Sequence, residues 1–174
     1  TLEKAAQHGA PHETIELVSV EMMIAQGQVD EAVARLENAL EVNSDSALLW
    51  QDYAALKLQM GDYQTALQAA KKFRDLSDNR ARATVLQSRV LVGDNQVEEA
   101  IALLQKELKV EQAATKQGEL WIELSHLYLR NGDMPRAIEI LESAHERLPQ
   151  NKEIVDEAAR LAWLRQEWNQ LAKY

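Results

Sequence analysis

Gln26-Gly27-Gln28-Val29-Asp30-Glu31-Ala32 is the stretch whose reading decides how this chain folds, because it returns. Met60-Gly61-Asp62-Tyr63-Gln64-Thr65-Ala66 echoes it, then Asp94-Asn95-Gln96-Val97-Glu98-Glu99-Ala100, then Asn131-Gly132-Asp133-Met134-Pro135-Arg136-Ala137. The steps between echoes are 34, 34 and 37 residues, which is the period of a repeat array. Each echo lies between two stretches with apolar residues three and four apart. Each repeat is therefore expected to be a pair of short amphipathic helices around a tight turn. Glycine ends the first helix by adopting the left-handed conformation, and Asn95 stands in its place in the third unit because asparagine best tolerates that backbone region.

Working outward from the turn, Ala32, Ala66, Ala100 and Ala137 recur in phase, each followed four residues on by Leu36, Ala70, Leu104 or Leu141. A small residue on that face lets the two helices of a pair approach closely, and the residue after it fills the space between neighbouring units. Composition agrees with an all-α fold. Ala, Leu, Glu and Gln dominate, aromatics are 5%, and the three prolines sit where a helix can begin or end.

Charge narrows the partners. With 28 acidic against 19 basic residues the net charge is -9, which repels phosphate backbones and anionic membrane surfaces, so no nucleic acid is expected. No apolar run approaches the ~18 residues of a membrane span, and no direct membrane insertion is expected. The N-terminal residues have no basic start followed by an apolar core, so no targeting segment is read. The absence of cysteine excludes disulfides and thiolate chemistry and leaves cytoplasm, periplasm and cell exterior equally open.

Little in the sequence is suited to chemistry. His8 and His12 have helical ligand spacing, but Gly9 and Pro11 between them end a helix. His145 has no second histidine at ligand spacing and should face solvent. Phosphate loops, nucleophile elbows and Cys or His clusters are all lacking, and adjacent carboxylates such as Glu98 and Glu99 point apart on a helix. Neither a catalytic residue, a cofactor nor a metal is expected.

The segment Trp121-Ile122-Glu123-Leu124-Ser125-His126-Leu127-Tyr128, continuing through Gly132, Ala137, Leu141, Ala144 and Pro149, resembles the tetratricopeptide repeat. In the second unit Trp50, Tyr53, Ala54, Gly61, Ala66 and Phe73 match the same pattern. Ser125 replaces a usual glycine and Lys57 a usual aromatic. Thr84 and Gln87 replace the apolar pair of the third unit's first helix, where looser packing is expected. The resemblance implies a right-handed superhelical solenoid of antiparallel helix pairs, with repeats at 13–46, 47–80, 81–117 and 118–151. Residues 1–12 would end a preceding repeat and 152–174 form an incomplete one.

Lys152 to Arg165 are expected to form a fifth first helix, with Trp168 to Tyr174 beginning its partner. The parent array would then continue in both directions, with self-association through the ends near Trp163 and Trp168 as the alternative contact for those tryptophans. The extra three residues of the last step fall between Lys109 and Gly118, and should lengthen either the third unit's second helix or the loop after it.

In this family the concave wall, lined by first helices, commonly holds a partner segment. Mapped onto this register, the wall carries Gln51 and Leu58, then Arg82, Val85 and Arg89, then Ile122, His126 and Leu129, and finally Arg160 and Trp163. Its middle pairs apolar area with a few donors, which suits an acidic and apolar protein or peptide segment. The alternative is that Arg82 and Arg89 serve neighbouring carboxylates such as Glu119 or Glu123. The carboxylate clamp of chaperone-binding members would fall on Leu17, Glu21, Asp52, Arg82 and Leu86. Only Arg82 has the right sign, so that activity is not expected. The resemblance implies an interaction scaffold; a periplasmic structural region of an envelope or exopolysaccharide-export protein and a regulatory extension of an enzyme are the alternatives.

Overall fold

The tight turns come first, because they set everything else. In the computed structural model, which describes residues 12–111 and 113–171, Gly27, Gly61 and Gly132 have φ of 76°, 78° and 77°, and Asn95 has φ of 62°. At each glycine the chain closes the preceding helix with a paired cap. Gly27 N–H donates to the Ile24 carbonyl at 3.0 Å and Gln28 N–H to that of Met23 at 2.9 Å. Gly61 and Asp62, and Gly132 and Asp133, repeat the pattern. The second capping residue then opens the next helix: Asp62 accepts from Thr65 N–H at 3.2 Å and Asp133 from Arg136 N–H at 3.1 Å. One left-handed residue thus reverses the chain at each turn, with a side-chain cap added at Asp62 and Asp133 but not at Gln28 or Gln96.

The elements that result are all helices among the described residues. They are α1 (His12–Ala25), α2 (Val29–Val42), α3 (Ala47–Gln59), α4 (Tyr63–Leu76), α5 (Arg80–Gly93), α6 (Val97–Val110), α7 (Ala114–Arg130), α8 (Met134–Arg147) and α9 (Lys152–Leu171). They fall into two units divided between Asp94 and Asn95. In the first, α1 packs on α2 and α3 on α4, and the first helices also meet each other, α1 with α3 and α3 with α5. In the second unit α7 packs on α6 and α8, and α9 touches both α8 and α7.

Burial follows the sequence phase closely. Ala32, Ala66, Ala100 and Ala137 are fully buried, and Leu36, Ala70, Leu104 and Leu141 are at most 1% exposed. In the first unit Val20, Leu36, Leu49 and Leu56 form one cluster, and Ala54, Ala69 and Ala70 another. A bidentate ion pair ties α1 to α2, with Arg35 Nε 2.7 Å and Nη2 3.1 Å from the Glu16 oxygens. Ser125, in the place of the usual glycine, is buried and donates to the Ala137 carbonyl at 3.3 Å, so the hydroxyl is absorbed by the neighbouring helix.

Three sequence expectations are corrected. The extra residues before the fourth unit lengthen neither α6, which keeps the 14 residues of the other second helices, nor the loop after it. They extend α7 backwards to 17 residues, because Ala114, Lys116 and Gln117 are helix formers and the Gln117 amide side chain reaches back to the Glu111 carbonyl. At the C-terminal end the expected turn between Arg165 and Trp168 is replaced by a continuous α9. Gln166 stands 34 residues after Gly132, where the period calls for a left-handed residue, and glutamine cannot take that conformation cheaply, so the helix runs on. Residues 1–11, 112 and 172–174 lie outside the described residues, and with them His8 and the expected end of a preceding repeat.

The third correction concerns packing in α5. Thr84 and Gln87 were expected to loosen it, yet they are 0% and 3% exposed, helped by the small neighbours Ala81, Ala83 and Ser88. What the polar residue brings instead is a buried Thr84 hydroxyl with no hydrogen-bond partner. Replacing a desolvated, unpaired hydroxyl by a methyl removes a penalty without opening a cavity. Thr84→Val is therefore expected to raise the unfolding free energy by about 1 kcal/mol in a urea titration; a loss of stability would show that the hydroxyl is satisfied.

Candidate functional site

Because first helices touch first helices along each unit, their outward side chains form a continuous face. In the first unit that face carries Glu21 on α1, Gln51, Asp52 and Leu58 on α3, and Arg82 on α5. Asp52 shows that these helices share an electrostatic environment. Burial pushes its carboxyl above the ordinary range and the Glu21 charge adds to this, while the Gln51 amide, 3.4 Å away, and the Arg82 guanidinium act in the opposite direction. Two carboxylates, Glu21 and Asp52, are thus followed by the Arg82 guanidinium across three helices, with half-exposed Leu48 and half-buried Leu58 as the apolar ground between them.

In the second unit the corresponding face joins α7 to α9. His126 Nε2 lies 3.5 Å from Glu157 Oε2, and Arg160 donates to the same oxygen from Nε at 2.8 Å and Nη2 at 2.6 Å. Burial raises the Glu157 carboxyl, but the Arg160 hydrogen bonds and charge, with His126 behind them, outweigh it and hold it below the usual carboxylate range. A lowered folded value means stability that is present above the ordinary carboxylate pKa and lost as pH falls through the folded one. Glu157→Gln should remove that contribution, about 0.5 kcal/mol at neutral pH for so accessible a network, and flatten the acid limb of stability against pH. Urea unfolding at neutral and acidic pH checks it; an unchanged acid limb would contradict the assignment.

The residues expected on the wall divide as follows. Gln51, Leu58, Ile122, His126 and Leu129 are half-buried, and Arg82, Arg89, Arg160 and Trp163 are exposed, Trp163 at 58%. Val85 does not belong: at 9% exposure it is part of the interior, because one turn of α5 from Arg82 points inward among Ala81, Thr84 and Ser88. Leu17 packs against the first core cluster and Leu86 against the second, so neither offers a polar contact at the chaperone-clamp positions. The Trp168 side chain lies outside the described residues. Glu157 was missed, although its spacing of three from Arg160 on a helix was a readable signal. His145 is exposed, and among the described residues no group of three or more His, Asp or Glu side chains is placed to hold a metal. No described helix is long and apolar enough to cross a membrane.

Comparison with known families decides what these repeats are. The sequence profile described as tetratricopeptide repeat matches residues 23–90 and again 91–161. The chain belongs to the tetratricopeptide repeat family. Similar solved structures include further tetratricopeptide proteins. TTC0263, a thermophilic TPR protein of Thermus thermophilus, shares 15% identity and superposes with a TM-score of 0.70 over 93% of this chain and 87% of that one. PilF of Pseudomonas aeruginosa shares 19% identity, with a TM-score of 0.63 over 91% and 71% of the two chains. YrrB, described as a TPR protein with an unusual peptide-binding site, shares 15% identity, with a TM-score of 0.58 over 95% and 84%. At these identities the likeness speaks for fold. No curated protein matches the chain in sequence. Tetratricopeptide solenoids are in general scaffolds for protein–protein interaction, and this chain has that family's repeats and fold.

Proposed function

We propose that the first-helix faces hold an extended or helical segment of a partner protein, and that the chain catalyses no reaction. The observation that carries the reading is the contact of first helix with first helix inside each unit, α1 to α3 to α5 in the first and α7 to α9 in the second, which sets first-helix side chains beside one another on a face of each unit. Those side chains supply apolar area from Leu48, Leu58, Ile122 and Leu129, with Arg82 and Arg89 as donors on an acidic body. A segment with carboxylates spaced among apolar residues is the complement, since charge on the rim selects partners and apolar contact retains them. The Arg82 charge is felt at Asp52 on the neighbouring first helix, so basic and acidic groups already share this face.

The experiment is a peptide array and pull-down comparing the wild-type chain with the Arg82→Glu/Arg89→Glu double variant. Recovery of acidic, apolar segments should fall about tenfold or more with the variant, as expected when two charge contacts become repulsive. Equal recovery by both proteins would remove the basis for the reading.

A further inference from the structure

A second surface, separate from the first-helix face, is built where α3 meets α4. There a groove of about 500 Å³ is floored by Trp50 and Tyr53 of α3 and walled by α4, which contributes Ala69 at its base and Lys71 and Lys72 at its rim; Thr65, Gln68 and Asp75 complete the lining. That volume suits one or two side chains of a ligand rather than a whole domain. The aromatic floor is fixed in advance. The two rings meet edge to face with centroids 6.1 Å apart. The Trp50 indole N–H is committed to the Ser44 carbonyl at 2.7 Å, and the Tyr53 hydroxyl donates to Glu37 at 2.8 Å. With both polar handles occupied, the rings offer a ligand only their apolar and π surfaces. Lys57, 5.2 Å over the Tyr53 ring and 3.5 Å from Glu37, locks the same corner.

The rim is the unusual part. Lys71 and Lys72 are both exposed, and neither has an ion-pair partner among the described residues, on a chain whose net charge is -9. Long cationic side chains beside an uncovered aromatic floor make a site for a ligand that brings an apolar group and a carboxylate together. A second copy of this chain is a poor occupant, because bringing two bodies of charge -9 together is repulsive, whereas a short segment brings its carboxylates without that body.

We propose that this groove is a second protein-docking site, which takes a short amphipathic partner segment with an apolar side chain over Trp50 and Tyr53 and a carboxylate at Lys71 and Lys72. The site does not rest on the first-helix reading: it uses none of Arg82, Arg89 or His126, and either can fail without the other.

The test is an NMR titration of the full chain with a short acetylated, amidated helical peptide carrying leucine one turn before glutamate. Its counterpart with lysine in place of glutamate is the control. The expected result is a saturable shift of the Trp50 indole N–H and of the Lys71 and Lys72 amides, absent with the control peptide. Binding should be about tenfold weaker in the Lys71→Glu/Lys72→Glu variant, whose substitutions are on exposed helix positions, and unaltered by Arg82→Glu/Arg89→Glu. Three results would overturn the proposal: no saturable shift at Trp50, equal binding by the lysine-reversed variant, or movement of the Trp50 signal with chain concentration alone, which would make the occupant a second copy.

Discussion

Leu36→Ala is expected to lower the unfolding free energy by about 3 kcal/mol, the middle of the range for deleting a fully buried leucine side chain. Leu36 is 0% exposed and lies in the cluster with Val20, Leu40, Leu49 and Leu56, so its side chain bridges α1, α2 and the following repeat. Its neighbours come from three helices whose spacing is set by turns and caps elsewhere, so they cannot collapse readily into the space it leaves. In a repeat array stability is roughly a sum of unit and interface contributions. Because Leu36 serves both, the loss should appear in urea titration as an early transition in the first unit rather than a uniform shift. A change below about 1 kcal/mol would mean that the interface between the first two repeats is not where the stability resides.

Gly61 is the site of the second large effect. At φ of 78° an added Cβ meets only the Tyr63 hydroxyl at 3.9 Å, so space is not the obstacle; conformation is. Gly61→Val should cost about 2 kcal/mol, since a β-branched residue in the left-handed region is strained whatever surrounds it. Gly61→Asn should cost much less, because Asn95 holds the equivalent turn at φ of 62° in this same chain. The pair separates a backbone requirement from a packing one in a single thermal-unfolding comparison. Equal destabilisation by both substitutions would contradict a backbone requirement at this turn.

The contrast between Gly61 and Asn95 also shows why so much of the fold was legible in the sequence. A residue that needs positive φ, followed at fixed spacing by a small residue that must be buried, leaves a trace that survives even when every other position varies. Hence Ala32, Ala66, Ala100 and Ala137 were readable as interior positions, and the structure buries all four completely. Helix termini without such a requirement were not readable. The start of α7 moved to Ala114 through helix-forming residues and a Gln117 side chain that bonds across the loop, neither of which has a period to betray it. The run of α9 through Gln166 reflects the same rule in reverse, since one missing left-handed residue is enough to lose the turn.

The surface was legible in part only, for a different reason. A family register places a residue on a helix face to within about one position, and one position on a helix is about 100°. Val85 fell on the wrong side of that margin and is buried, while Arg82 and Arg89 on the same helix are exposed. Glu157 left only its spacing of three from Arg160, a weak trace because an acidic residue on an acidic chain does not stand out until the fold brings it to His126 as well. The aromatic groove over Trp50 and Tyr53 was hidden for the opposite reason. Both residues match the repeat pattern, which places them in the interior, yet α4 leaves part of their ring surface uncovered.

That the first helices form the partner-holding face is tested most directly by hydrogen exchange of the chain, alone and with a segment recovered by the Arg82- and Arg89-dependent pull-down. The expected result is slowed exchange along α1 and α5 and at the α3 positions around Leu58, with α2 unaltered; protection confined to the second helices α2 and α4 would contradict it.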